Sequence, residues 1–109
     1  MEHRVLPATW KSKGSLARVI ADMESGGWSV ATFGEVFSGS ILVMIRDGRL
    51  WTHEVVQLFW KMKDNVAQLI REREKDGWEV AAIGDCLGGT VMILKKVVGV
   101  SRDGQPASS

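Results

Sequence analysis

Two histidines stand fifty positions apart, at His3 and His53, and imidazole is the side chain that most often binds a metal or moves a proton. If the segments that carry them met, the two rings could approach each other. A metal site needs more ligands than this, and the sequence has no Cys or His cluster with ligand spacing. We therefore interpret both histidines as structural, and we predict neither a metal nor a cofactor.

Four of the five tryptophans also recur at a distance of fifty, as Trp10 with Trp60 and Trp28 with Trp78. These four side chains, together with His3 and His53, could line two equivalent apolar pockets for an aromatic or apolar small molecule. The alternative is core packing, because Trp28 and Trp78 follow glycines that are placed to end a helix. At this point both interpretations stay open.

Catalytic chemistry has little support in the sequence. Cys86 is the one cysteine, and the residue fifty positions before it is Val36, which suggests that the position tolerates a small hydrophobic side chain. The glycine-bearing stretches 34–39 and 84–89 are followed by strand-like sequence, whereas a phosphate-binding loop needs a helix directly after it. We find no catalytic constellation and expect no enzymatic activity.

Charge and composition exclude several classes of partner and place. Lysines do recur beside two tryptophans, as in a base-stacking platform: Lys11 and Lys13 follow Trp10, and Lys61 and Lys63 follow Trp60. The formal net charge is only +1, however, so we expect neither nucleic acid nor a membrane as a partner. A single cysteine and a start without the apolar stretch of a secretory signal favour a cytoplasmic location.

These residues recur because the sequence repeats itself. Residues 3–48 align with 53–98 without a gap, and 14 positions are identical, where ordinary residue usage would give about three. The identical pairs are His3/His53, Val5/Val55, Trp10/Trp60, Lys11/Lys61, Lys13/Lys63, Ala17/Ala67, Ile20/Ile70, Glu24/Glu74, Gly27/Gly77, Trp28/Trp78, Val30/Val80, Ala31/Ala81, Gly34/Gly84 and Gly39/Gly89. We interpret the chain as a tandem duplication, and we call two residues fifty positions apart counterparts.

Each copy has the periodicity of a β-α-β-β unit. Strand-like sequence at 2–10 and 51–60 is followed by apolar residues at helical spacing, with Asp64 as the expected N-cap of the second helix. Gly27 and Gly77 are expected to end the helices with positive φ, and a hairpin closes each unit. Its last strand is apolar on both sides, so it should lie between the other two and antiparallel to both.

These elements predict an α+β fold, with an antiparallel or mixed sheet of about six strands and two helices packed on one face. We expect one domain at residues 1–98, made of repeats at 2–48 and 52–98, and a disordered tail at 99–109. A closed barrel with the helices outside is the alternative to an open sheet.

The helix ends carry a family resemblance. The segments ESGGWSVATFG and EKDGWEVAAIG, each followed by an apolar strand that ends in VMIR or MILKK, resemble the bacterial family known as domain of unknown function 4177. The second copy is the closer match, because Ser29 replaces the usual acidic residue in the first. The resemblance implies a fold and brings no catalytic residues.

The function that we predict is a non-catalytic interaction or assembly module, and a small-molecule binding protein is the alternative. Self-association as a homodimer is expected, or else binding to another protein. The surface expected to mediate it is the sheet face opposite the helices, with Ala31, Phe33, Ala81 and Ile83, because two short helices can cover only one face.

Overall fold

The structure is a computed structural model that describes residues 1–9, 11–37, 39–58, 63–87 and 89–100. Along the chain it contains β1 (Glu2–Pro7), α1 (Lys13–Glu24), β2 (Trp28–Val36), β3 (Gly39–Arg46), β4 (Arg49–Gln57), α2 (Lys63–Glu74), β5 (Glu79–Cys86) and β6 (Gly89–Val100). Both halves therefore have the predicted order of strand, helix, strand and strand. The predicted α+β class is confirmed.

The strands form two separate sheets, with the orders β1-β3-β2 and β4-β6-β5. All neighbouring strands are antiparallel, so the last strand of each half is central, as predicted. The apolar residues of β3 and β6 explain why these strands are central: Leu42, Met44 and the run from Val91 to Leu94 are fully buried. The prediction of one sheet of about six strands is corrected here, since no strand of β1–β3 pairs with one of β4–β6.

The helices begin and end where local chemistry dictates. The Ser12 side chain caps α1 by accepting a hydrogen bond from the Ser15 N–H, whereas Asp64 lies inside the first turn of α2 and is not its N-cap. Gly27 and Gly77 have φ values of 83° and 90°, which confirms the predicted left-handed glycine after each helix.

A β-bulge in β2 changes which side chains share a face. The register shifts between Val30 and Thr32, so that Val30 is opposite Met44 and Phe33 is opposite Leu42. Val30 and Phe33 therefore lie on the same face, and the prediction that Phe33 lies on the opposite one is wrong. One extra residue in the strand reverses the alternation beyond it. The same shift in β5 puts Ile83 on the face of Val80.

The first half lies across one face of the second sheet. Leu16 and Ile20 of α1 are fully buried, and they form one core cluster with β2 and β3 and with Val91 and Ile93 of β6. α1 thus packs against both sheets, whereas α2 has no fully buried residue. The two helices do not share one face as predicted, because β2 and α1 together occupy the face of the neighbouring sheet.

One predicted boundary, the start of the tail, differs in the structure. β6 extends to Val100, so Gly99 and Val100, which we assigned to the tail, pair with β4. Residues 101–109 lie outside the described residues. Neither α1 nor α2 is long and apolar enough to cross a membrane.

Candidate interaction site

The second sheet presents a face that the first half covers, and we call it the covered face. The strand register places His53 beside Lys95 and Val55 beside Ile93 on this face, and Val91 continues it. Val91 and Ile93 are fully buried, and Val55 packs against the same core cluster. Among the described residues, this face combines side-chain hydrogen bonds between the two halves with apolar packing against the core cluster.

His53 lies at the centre of these contacts. Its ring Nε2 accepts a hydrogen bond from the Val30 backbone N–H at 3.1 Å, so the proton of the neutral ring is on Nδ1. Nδ1 lies 2.8 Å from Oε2 of Glu24, to which it donates, and the His53 side chain is only 2% exposed. Burial lowers the pKa of His53 below its ordinary value, although the Glu24 carboxylate acts in the opposite direction. The neutral ring thus links α1, β2 and β4.

Lys95 binds the same short segment of β2 from the other side. Its Nζ donates to the Val30 carbonyl at 3.0 Å and to Ser29 Oγ at 3.3 Å, and it lies 4.5 Å from the ring centroid of Trp51. Burial lowers the pKa of Lys95. The Val30 N–H and C=O are therefore bonded to side chains of the second sheet at the bulge of an edge strand, where no further strand follows.

An aromatic contact completes the covered face. A Cβ built on Gly84 would lie 2.6 Å from Cδ2 of Phe33, so the ring occupies the space above this glycine. Phe33 is 6% exposed as a result. A glycine suits this position because the Phe33 side chain approaches it closely, and not because of a positive φ.

The first sheet has a matching face that none of the described residues covers, and we call it the open face. It is made of the counterparts of the covered face, which are His3, Val5, Ile41, Val43 and Ile45. Val5 is 60% exposed although the identical Val55 packs against the core, and His3 is exposed although His53 is buried. A Cβ on Gly34, the counterpart of Gly84, would meet no atom within 4 Å.

The second half has a matching unused edge as well, which we call the free edge. Its residues are Glu74, Glu79, Val80 and Ile83, the counterparts of the residues with which the first half contacts the covered face. Val80 is 37% and Ile83 is 47% exposed, whereas Val30 is fully buried and Phe33 nearly so. Glu74 and Glu79 are exposed too.

The predicted ligand-binding residues are distributed over this arrangement. Trp28 is buried with the Arg46 guanidinium 4.8 Å from its ring centroid, and Trp78 has the Lys96 ammonium at 5.5 Å. His3 and His53 belong to different sheets, and His53 is paired with Glu24. Trp10 and Trp60 lie outside the described residues. Trp28 and Trp78 thus each have their own cation, and the pockets predicted at the tryptophan pairs stay a prediction.

Other candidate chemistry is found at separate places. The described residues contain no group of three or more His, Cys, Asp or Glu side chains that could hold a metal ion. Burial and the nearby Asp85 raise the pKa of the Cys86 thiol, which disfavours the reactive thiolate. A cleft of about 280 Å³ between β2 and β5 is lined by Phe33, Gly34, Glu35, Ser40, Ile83, Gly84 and Asp85, and none of these described residues is a tryptophan.

Sequence reasoning missed Glu24, Lys95 and Trp51 as site residues. Glu24 was visible as one of the identical pairs, but a glutamate at a helix end is ordinarily solvated. Trp51 was the one tryptophan without a tryptophan counterpart, and that difference between the halves was a usable signal.

No family model, no curated protein and no solved structure matches this chain. The resemblance to the family of unknown function 4177 therefore stays a prediction based on the Gly-Trp motifs.

Proposed function

We propose that this chain is a non-catalytic assembly module that associates with further copies of itself through its open face. The single observation that carries the proposal is the difference in burial between identical counterparts. Val55 is partly buried and packs against the core cluster while Val5 is 60% exposed, and the His53 side chain is 2% exposed while His3 is exposed to solvent. The open face is apolar and exposed, and the counterpart of this face in the second sheet is buried. Such a surface is suited to a protein partner.

A non-catalytic role agrees with the way in which the polar groups are used. Both ring nitrogens of His53 are occupied by groups of its own chain, and Lys95 is bonded to backbone and hydroxyl oxygens. A general base must reach a proton of its substrate, and a buried, doubly bonded imidazole has no free nitrogen for it. These groups serve to join two sheets.

The proposal includes a tandem duplication of one β-α-β-β unit, of the kind that the resemblance to the family of unknown function 4177 implies. The ungapped alignment supports it, and so do the matching strand orders and the matching bulges after Val30 and Val80. Within the chain, one copy of the unit supplies an edge and the other supplies a face. The open face and the free edge are the second set of these surfaces.

Light scattering coupled to size exclusion at micromolar concentration tests the proposal. We expect a mass of at least twice the 12.0 kDa of the chain for the wild type. Val5→Glu should lower the mass to that of one chain, because it places a charge on the open face. The matched control is Arg18→Glu on the exposed surface of α1, which should leave the mass unchanged. A wild-type mass of 12.0 kDa would contradict the proposal.

A further inference from the structure

We infer that the open face binds the free edge of a second copy of this chain, head to tail, and that this contact forms a Glu74–His3 pair between the two copies. The inference rests on the proposed function, to which it adds the partner surface and its orientation. The contact within the chain is the template, since Glu24 and His53 are identical to their counterparts Glu74 and His3.

The two surfaces of the template are different from each other. One consists of the end of α1 and the adjoining part of β2, and the other is the face of a sheet. The described residues make one such contact within the chain, in which the first half supplies the edge and the second half supplies the face. The unused surfaces are thus an edge on the second half and a face on the first half, and they are complementary in the same way.

The equivalent contacts can be named atom by atom. Glu74 of one copy would accept a hydrogen bond from Nδ1 of His3 in the other, and the Val80 N–H would donate to Nε2 of the same ring. Ile83 would take the place of Phe33 above a glycine, and Gly34 has the open space for it. The Lys95 contact is not repeated, because the counterpart of Lys95 is Ile45 and the counterpart of its partner Ser29 is the charged Glu79.

A contact between two different surfaces is heterologous, and this distinguishes it from the commonest form of homodimer. In a twofold dimer, the same patch meets itself and each residue near the axis faces its own copy. In the head-to-tail contact, His3 faces Glu74 and is distant from the second His3. The difference can be read from which pairs of positions cross-link.

The experiment uses full-length chains in which Cys86→Ser removes the native thiol. One chain carries His3→Cys, a second carries Glu74→Cys, and a third carries Glu72→Cys on the same exposed helix as a control. A short bismaleimide is added to each chain alone and to equimolar mixtures. We expect a linked dimer in the His3→Cys and Glu74→Cys mixture, about tenfold above the mixture with Glu72→Cys, because docking raises the effective concentration of the two thiols.

The outcomes separate this inference from the proposed function. A wild-type mass above one chain, with cross-linking of His3→Cys to itself and not to Glu74→Cys, would overturn the head-to-tail contact and leave self-association intact. Equal cross-linking of Glu74→Cys and Glu72→Cys in an oligomer would overturn it as well. A wild-type monomer would overturn both.

Discussion

The covered face of the second sheet and the open face of the first sheet have related sequences and opposite surroundings. On the covered face, His53 is bonded at both ring nitrogens and Ile93 is fully buried. On the open face, His3 lies in solvent and Val43 is only half-buried. The difference does not come from the strands themselves, because their order and pairing are the same. It comes from the edge made of α1 and β2, which lies on the covered face, whereas no described residue lies on the open face in the same way.

This comparison shows what the repeated residues are for. The same histidine and glutamate positions occur in both halves. The link between α1, β2 and β4 explains one of each, namely His53 and Glu24. In the first half of the isolated chain the same His3 has no such role. The proposed contact between copies gives the second set of identical residues the function that the first set has.

The largest difference in stability that we expect between the two faces is the effect of replacing their glycines, Gly84 and Gly34, with alanine. Gly84→Ala places a Cβ 2.6 Å from the Phe33 ring, and Gly34→Ala places one in open space. We expect Gly84→Ala to lower the free energy of unfolding by about 1 to 3 kcal/mol, since the ring must move out of a packed core. Gly34→Ala should change it by less than about 0.5 kcal/mol in the dissociated chain.

Urea denaturation of both variants, at a concentration where the wild type is monomeric, measures the difference. Equal losses for Gly84→Ala and Gly34→Ala would mean that Phe33 does not hold the two sheets together.

A smaller effect is expected in the pH dependence of stability. Burial lowers the pKa of His53 in the folded chain, so the unfolded chain binds a proton at a higher pH than the folded one does. The stabilisation by the neutral ring is therefore present above pH 6.5, the ordinary pKa of histidine, and it is lost as the pH falls from there through the lower pKa of the folded chain. We expect the free energy of unfolding to decrease in this range.

His53→Gln keeps an amide near the Val30 N–H and removes the titration, so its stability should vary less with pH than that of the wild type. His3→Gln is the matched control and should keep the wild-type dependence in the monomer. If His53→Gln and the wild type have the same pH profile between neutral pH and the acid side of 6.5, the neutral buried ring is not the link between the sheets.

The elements of the fold were predictable because they depend on local pattern. The strands and helices follow from apolar periodicity, and the left-handed glycines at Gly27 and Gly77 follow from their place after a helix. The central position of β3 and β6 follows from their apolar residues on both sides.

The arrangement of the two sheets was not predictable in the same way. The bulge after Val30 is one extra residue in an ordinary strand sequence, and it exposes the N–H and C=O that His53 and Lys95 bind. The sequence around Glu24 does not indicate a contact with His53, because the two residues are 29 positions apart and each has an identical counterpart that could have been the partner instead. A repeat also suggests symmetry, whereas the described residues form the contact between edge and face once.

Hydrogen exchange measured by mass spectrometry at two protein concentrations tests the central claim most directly. β1 carries the open face and β4 carries the covered face, so the two strands serve as probe and internal control in one sample. In dilute protein we expect the amides of β1 to exchange faster than those of β4, because β4 is packed beneath α1 and β2. On concentration, exchange in β1 should slow toward the rate of β4, while β4 stays constant. Exchange in β1 that is independent of concentration, in a sample whose mass has increased, would contradict the account.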